Sequence, residues 1–378
     1  MYTDKDNKQN ISQTPKQEIE MQKVTFPKRS EFYPELKKRV GEFLREKNLP
    51  ELDGWQMYLQ SAVILTWLIA SYVSLVFYAN SIFTAILSGI AVAAGFALVG
   101  FDIQHDGNHG GYSKYNWVNE LMGYTLNLIG ADKSVWRQKH NILHHTFTNI
   151  RGHDSDIALP WVRLSQAQPW QPMHRYQHIY TFGLYCFVSL SWIFLVDFQR
   201  FFTGRIGQYR LPKKTTKDYV VFFVTKVFYL GYAVVLPCFF HPVWVVALFF
   251  FGIHLLLGFT LAIVFQLAHV VEGTTFPTPN EKYEIENAWA IHEAETTFDF
   301  AISDSWLHRL VTWCLGGLNF QVIHHLFPRM NHTMYPKIVG VVRAVFGEFN
   351  VSYNFHGTIR EAVGAHYRLL KDLSKKPT

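Results

Sequence analysis

Two long stretches, 59–79 and 81–101, contain no Asp, Glu, Lys or Arg. A helix rises about 1.5 Å per residue, so each is long enough to cross a bilayer core of about 30 Å. A third apolar run, 219–239, is interrupted only by Lys226, and a fourth, 243–269, carries no acidic residue, Lys or Arg. These runs predict four transmembrane helices in two tight hairpins, at about 59–79, 81–102, 219–239 and 243–269. The turns between paired spans, Asn80 and Phe240-His241-Pro242, are uncharged.

The cations fall elsewhere: eleven Lys and Arg in residues 1–56, twelve in 103–216 and ten in 270–378. The positive-inside rule then places both termini and the large central segment in the cytosol. The expected organisation is a cytosolic N-terminal segment (1–56, with a flexible polar tract from Asp4 to Glu20), a membrane domain (57–340) and a cytosolic helical tail (341–378). The net charge of +6 comes without a basic stripe beside base-stacking modules, which argues against nucleic acid as a partner and for contact with membrane lipid.

No apolar core with a small-residue cleavage site marks the start of the chain as a leader, so the first span is expected to direct insertion. Cys186, Cys238 and Cys314 form no C-x-x-C pattern, against disulfides, an iron–sulfur cluster or a zinc ribbon. Two weaker apolar stretches, 180–196 and 306–320, read as helices lying in the interface. If 180–196 crossed, the cluster Arg205, Arg210, Lys213 and Lys214 would lie outside, against the charge rule.

Of 18 histidines, three groups stand out. His105 and His109 are spaced i, i+4 near the cytosolic end of the second span, which puts them on one helix face. His140, His144 and His145 repeat that spacing with an adjacent imidazole, and His324-His325 form the third group. All three fall on the face that charge counting assigns to the cytosol, which predicts a shared metal site. Neutral imidazole suits Fe, Zn, Cu and Ni alike, so the residues alone leave the metal open. The fourth span carries His254 and His269, about 22 Å apart along a helix. His269 reaches the depth of His105 and is expected to be a further ligand; His254 is expected to be neutral and hydrogen-bonded within the bundle.

The stretch Gly316-Gly317-Leu318-Asn319-Phe320-Gln321 through His324-His325-Leu326-Phe327-Pro328 resembles the Gln-x-x-His-His-Leu-Phe-Pro signature of membrane fatty acid desaturases, of the front-end and bacterial acyl-CoA or acyl-lipid type. His-Asp-x-x-His at 105–109 and His-x-x-x-His-His at 140–145 are similar to the family's other two boxes. Asn149, the acidic run His153-Asp154-Ser155-Asp156, and Trp289, His292 and Thr296-Thr297 also resemble family segments, the similarity running from about Ser61 to Pro336.

This resemblance implies an all-α integral membrane protein with a cytosolic helical cap over a di-metal site. The site would hold two Fe ions and use O2 to insert a cis double bond into a long-chain acyl-CoA or lipid-linked acyl chain. The implied ligands are His105, His109, His140, His144, His145, His269, His324 and His325, with Gln321 as a weak or water-mediated one. Gln321 stands where the stearoyl-CoA branch has His, and Ile323 where many relatives have Glu. Candidates for orienting the imidazoles through their other ring N–H are Asp106, Asn149, Asp154, Asp156, Glu293 and Asn319. Neutral ligands leave positive charge on the metal pair, which suits the strong oxidant that an unactivated methylene demands.

Desaturation also needs electrons. Some relatives carry a fused b-type cytochrome domain marked by His-Pro-Gly-Gly, whereas the one His-Pro here is His241-Pro242-Val243. Neither a flavin fingerprint nor a cluster-forming cysteine set is present. A separate ferredoxin-like carrier with its reductase is therefore expected, docking around Arg200–Lys217. The expected location is an inner or cytoplasmic membrane, or the endoplasmic reticulum in a eukaryote. Rival readings are a fatty acyl, alkane or carotenoid hydroxylase on the same scaffold, or a non-enzymatic membrane metal-binding protein. The latter would set ligands along a path inside the spans rather than at one face.

Overall fold

The computed structural model describes residues 23–27, 30–303 and 305–377; the polar tract 4–20, expected to be a flexible tail, lies outside them. Among the described residues, four helices are long and apolar enough to cross a membrane: Trp55–Tyr78, Ile82–His109, Thr216–Cys238 and Val243–His269. They coincide with the four apolar runs; the first packs along the second as expected, whereas the fourth packs mainly against the second and meets the third only near their shared turn. The first and third begin a few residues earlier than the runs, because a helix can start in the polar interface. Ser81 opens the second span as a capping box, its hydroxyl accepting from the Thr84 N–H at 3.2 Å. Thr215 opens the third, its N–H donating to the Asp218 carboxylate at 2.7 Å. Such caps satisfy orphan donors of the first turn. Side chains on the outer faces are apolar and exposed, Phe83, Val227 and Val243 among them, as a lipid-facing surface requires.

One expected boundary differs. The second span does not stop before the first histidine group but continues to His109 through a widened π-helical turn, Val99–Ile103. His105 and His109 therefore sit on the last turns of a membrane helix. Another π-helical stretch, Gln138–His144, carries His140 and His144; such bulges re-aim side chains and are frequent at functional sites.

Two polar side chains deep in the bundle are paired. His254 lies 3.0 Å from the Ser189 hydroxyl through Nδ1 and 2.5 Å from the Tyr229 hydroxyl through Nε2, well apart from the other histidines. Lys226, the lone charge of the third run, donates to Asp197 at 2.8 Å and to the Gly130 and Ile193 carbonyls. The stretch 180–196 is not one straight helix. Pro172–Tyr185 and Val188–Thr203 meet at 70°.

Over one end of the bundle lies a helical cap. Helix Phe32–Glu46 buries Phe32, Leu36, Val40 and Leu44, one stripe at i, i+4 spacing. That stripe packs with Ile338, Val342, Val345 and Phe346 of helix Tyr335–Glu348. The short helix Gln321–Leu326, wholly buried, is held beneath them. Its approach depends on Gly316, at φ +54°, where a Cβ would come within 2.6 Å of the Phe101 carbonyl oxygen. The C-terminal helix Ile359–Leu373 is tied to the end of the fourth span through His366, whose Nδ1 lies 2.5 Å from the Val270 carbonyl.

Candidate metal centre

Where span ends and cap meet, eight imidazoles converge. Ring nitrogens of His105, His109, His140 and His324 lie within 4.8 Å of one another, as do those of His144, His269 and His325, and those of His145, His324 and His325. His145 stands between the first two groups. Its Nε2 is 3.3 Å from that of His140 and 3.1 Å from that of His324, and its ring stacks on His325 at 4.2 Å. His105 and His140 approach Nε2 to Nε2 at 3.2 Å. The eight residues expected as ligands are thus brought together from stretches far apart in the chain.

The donor set fits metal ions. Burial, reinforced by neighbouring imidazoles, holds His140, His145, His324 and His325 well below the ordinary imidazole range, so they present lone pairs at neutral pH. The Nε2 atoms of His109, His144 and His325 are buried with no hydrogen-bond partner, which in a dry interior is costly unless a cation takes them. Two nitrogens each about 2.1 Å from one ion, at roughly a right angle, lie about 3 Å apart, close to the Nε2 separations seen here.

Outer partners fix which nitrogen faces inward. His144 Nδ1 is 3.0 Å from Asp154 Oδ2, and that oxygen also accepts the Asn149 N–H at 3.0 Å. His325 Nδ1 is 2.6 Å from Glu293 Oε2, which takes the Thr148 hydroxyl at 2.8 Å. A carboxylate accepting the Nδ1 proton leaves the Nε2 lone pair free. Burial pushes the Glu293 carboxyl well above its usual range; positive charge beyond the His325 ring would favour its ionised form. His324 uses Nδ1 on the Tyr335 hydroxyl at 3.2 Å. Asp156 lies 3.7 Å from His144 Nδ1 and pairs with Lys139.

The other candidates serve differently. Asn149, at φ +58°, donates to the His269 carbonyl at 2.8 Å and also bonds the Thr275 carbonyl, clamping the end of the fourth span. Asp106 accepts from both the backbone N–H and Nδ1 of His332, at 3.1 and 2.8 Å, while His105 Nδ1 stays 4.0 Å away. Asn319 reaches no imidazole of the cluster; its amide donates to the Phe300 carbonyl and the Thr312 hydroxyl. Gln321 donates to the Leu318 carbonyl at 2.9 Å and adjoins His269.

His332 and Tyr335 are not identifiable from box spacing; the sole hint in the sequence is an acidic Asp106 in need of a donor. Burial opposes a charge on His332, but Asp106 and Asp102 overcome it and raise its pKa. Trp136, stacked on His140 at 4.4 Å, and Phe265, 4.7 Å from His269 between ring centroids, help to exclude water.

A helical membrane scaffold that gathers imidazoles at one end of its bundle defines a histidine-rich membrane protein with the donor set of a metal-dependent oxidoreductase. Residues 80–357 match the family described as "Fatty acid desaturase". The "sn-1 linoleoyl-lipid 6-desaturase" of Arthrospira platensis is 37% identical over 361 residues, 94% of this chain and 96% of that protein. Its namesake in Synechocystis is 32% identical over 94% of this chain and 98% of its own length. The "Acyl-lipid (8-3)-desaturase" of Physcomitrium patens is 38% identical over 90% of this chain and 71% of its own length. The chain belongs to the fatty acid desaturase family and is a fatty acyl desaturase; the hydroxylase and non-catalytic readings are not favoured.

Proposed function

We propose that this protein is an acyl-lipid desaturase that uses two iron ions and O2 to introduce a double bond at carbon 6 of a linoleoyl-type chain esterified in a membrane lipid. The convergence of eight buried imidazoles, two of them backed by carboxylates through Nδ1, carries the metal assignment. The Arthrospira and Synechocystis proteins, similar over nearly the whole chain, carry the substrate assignment. Bound iron would supply, with O2, the oxidising power to remove hydrogen from an unactivated methylene. The protein's part is to hold eight neutral nitrogens in place, to keep His144 and His325 protonated at Nδ1 with those N–H groups donating to Asp154 and Glu293, and to exclude water with Trp136 and Phe265. In a host supplied with linoleate, gas chromatography with mass spectrometry should find a triene with its new double bond at carbon 6. A hydroxylated chain, or unchanged linoleate in membranes holding the metal-loaded protein, would overturn the reading.

The orientation proposed is that of the charge count, both termini and the metal centre facing the cytosol. The uncharged turns at 79–81 and 239–242 then lie outside. Single cysteines introduced at 210 or 330 should resist a membrane-impermeant reagent in intact cells, and one introduced at 241 should react. Labelling of 210 from outside would mean that the bent segment 172–203 crosses the membrane.

A further inference from the structure

A cavity of about 850 Å³ opens beside the first span, between it, the helix Trp306–Cys314 and the start of helix Tyr335–Glu348. Its size falls in the range of small-molecule sites. Three features bear on its occupant. The mouth adjoins strongly exposed apolar side chains, Trp55 and Leu59 on the span and Trp306 and Leu307 on the facing helix; tryptophans in this setting mark the boundary between hydrocarbon and headgroups. The walls are apolar, with Leu59, Val63 and Trp313. The lining carries three cations, Arg309, Lys337 and Arg343, and no Asp or Glu among the described residues.

Arg343 is the most telling. Its guanidinium lies over Tyr353 at 4.9 Å and Phe355 at 4.4 Å, and its Nε and Nη2 are buried without a hydrogen-bond partner. Asp299, whose carboxyl feels that charge, takes the Tyr353 hydroxyl and the Val322 N–H instead. A guanidinium in the cavity lining, held flat against two rings and with two donor nitrogens unpaired, suits a phosphate or sulfonate. Gln60 and His332 also line the cavity, 3.2 Å apart, and His332 holds Asp106, the neighbour of His105. The cavity thus joins a cationic rim at the membrane boundary to the edge of the metal centre.

We propose that this cavity is the site where a glycerolipid with an anionic headgroup docks from the bilayer, its headgroup on Arg309 and Arg343 and one acyl chain directed inward along Leu59 and Val63. The proposal rests on the acyl-lipid desaturase reading and adds the headgroup class. A membrane lipid is chosen over the phosphates of a CoA thioester because the mouth is flanked by the lipid-facing surface.

The test uses the purified full chain in detergent–lipid micelles and needs no turnover. Phosphatidylglycerol with a diazirine in its acyl chain should label peptides spanning 56–63 and 301–313, and a neutral galactolipid with the same acyl chain should label them about tenfold less, as expected for losing charge-assisted hydrogen bonds. R309Q/R343Q should erase that preference and R309K/R343K retain much of it; the wild-type comparison of the two lipids decides by itself if the Gln variant does not fold. Equal labelling by both lipids, or displacement of the label by equimolar acyl-CoA, would overturn the proposal. Anionic-lipid labelling by a protein that leaves esterified linoleate unchanged even with O2, a carrier and its reductase supplied would instead sink the acyl-lipid reading and leave the site standing.

Discussion

His324→Ala and His144→Ala should each reduce turnover by more than about 100-fold while the protein reaches the membrane at the wild-type level. Altering residues that merely orient ligands commonly costs about 10–100-fold, and here a ligand itself is lost. His324 belongs to the group with His105, His109 and His140, and His144 to the group with His269 and His325, so the two substitutions probe different halves of the centre. Insertion depends on the four apolar helices, to which neither residue belongs. Product formed per inserted protein should be measured together with its metal content. Full activity in His324→Ala would refute its assignment as a ligand.

Turnover should be absent when purified protein is given acyl lipid, O2 and NAD(P)H alone, and should return when a ferredoxin-like carrier and its reductase are added. Reduction of O2 to two waters takes four electrons; forming the double bond releases two, so two must arrive from elsewhere. The sequence contains no His-Pro-Gly-Gly tract, flavin fingerprint or cysteine cluster to store them. The proposed docking face is the basic segment around Arg200–Lys217, where Arg205, Lys213 and Lys217 are exposed. It lies close to the centre: Arg200 reaches the Ser155 hydroxyl at 3.4 Å, and the adjacent Asp154 holds His144. Reversing charge with R205E/K213E/K217E should raise the carrier concentration needed for half-maximal rate by about tenfold or more, most at low salt. Sustained product formation with no carrier would refute the requirement; an unchanged carrier dependence in the variant would point to lipid headgroups as the partner of this face.

The spans were legible because a charge-free run long enough to cross a bilayer has few other uses, and the histidine groups because three of them fell where charge counting had already placed one membrane face. His269 and His254 were separable by depth alone, since about 22 Å along a helix is a long distance beside a metal–ligand bond. Partners distant in sequence were not legible. Asp106 is next to His105, which suggested that it orients that ring, but it turns to His332, 226 positions away. Asn319 sits within the third signature and braces the loop at Phe300. The π-helical turns that carry the histidines into place left no mark that periodicity could detect, because one extra residue per turn does not change which residues are apolar. Lys226 read as an interruption of a span until Asp197, from another helix, came beside it.

Metal analysis of protein purified from iron-replete cells tests most directly whether these eight histidines hold two irons. Close to two iron atoms per chain are expected, with a Mössbauer spectrum of nitrogen-rich, non-haem iron and loss of that iron in the His144→Ala and His324→Ala variants. A homogeneous, active preparation holding one zinc per chain and no iron would contradict it.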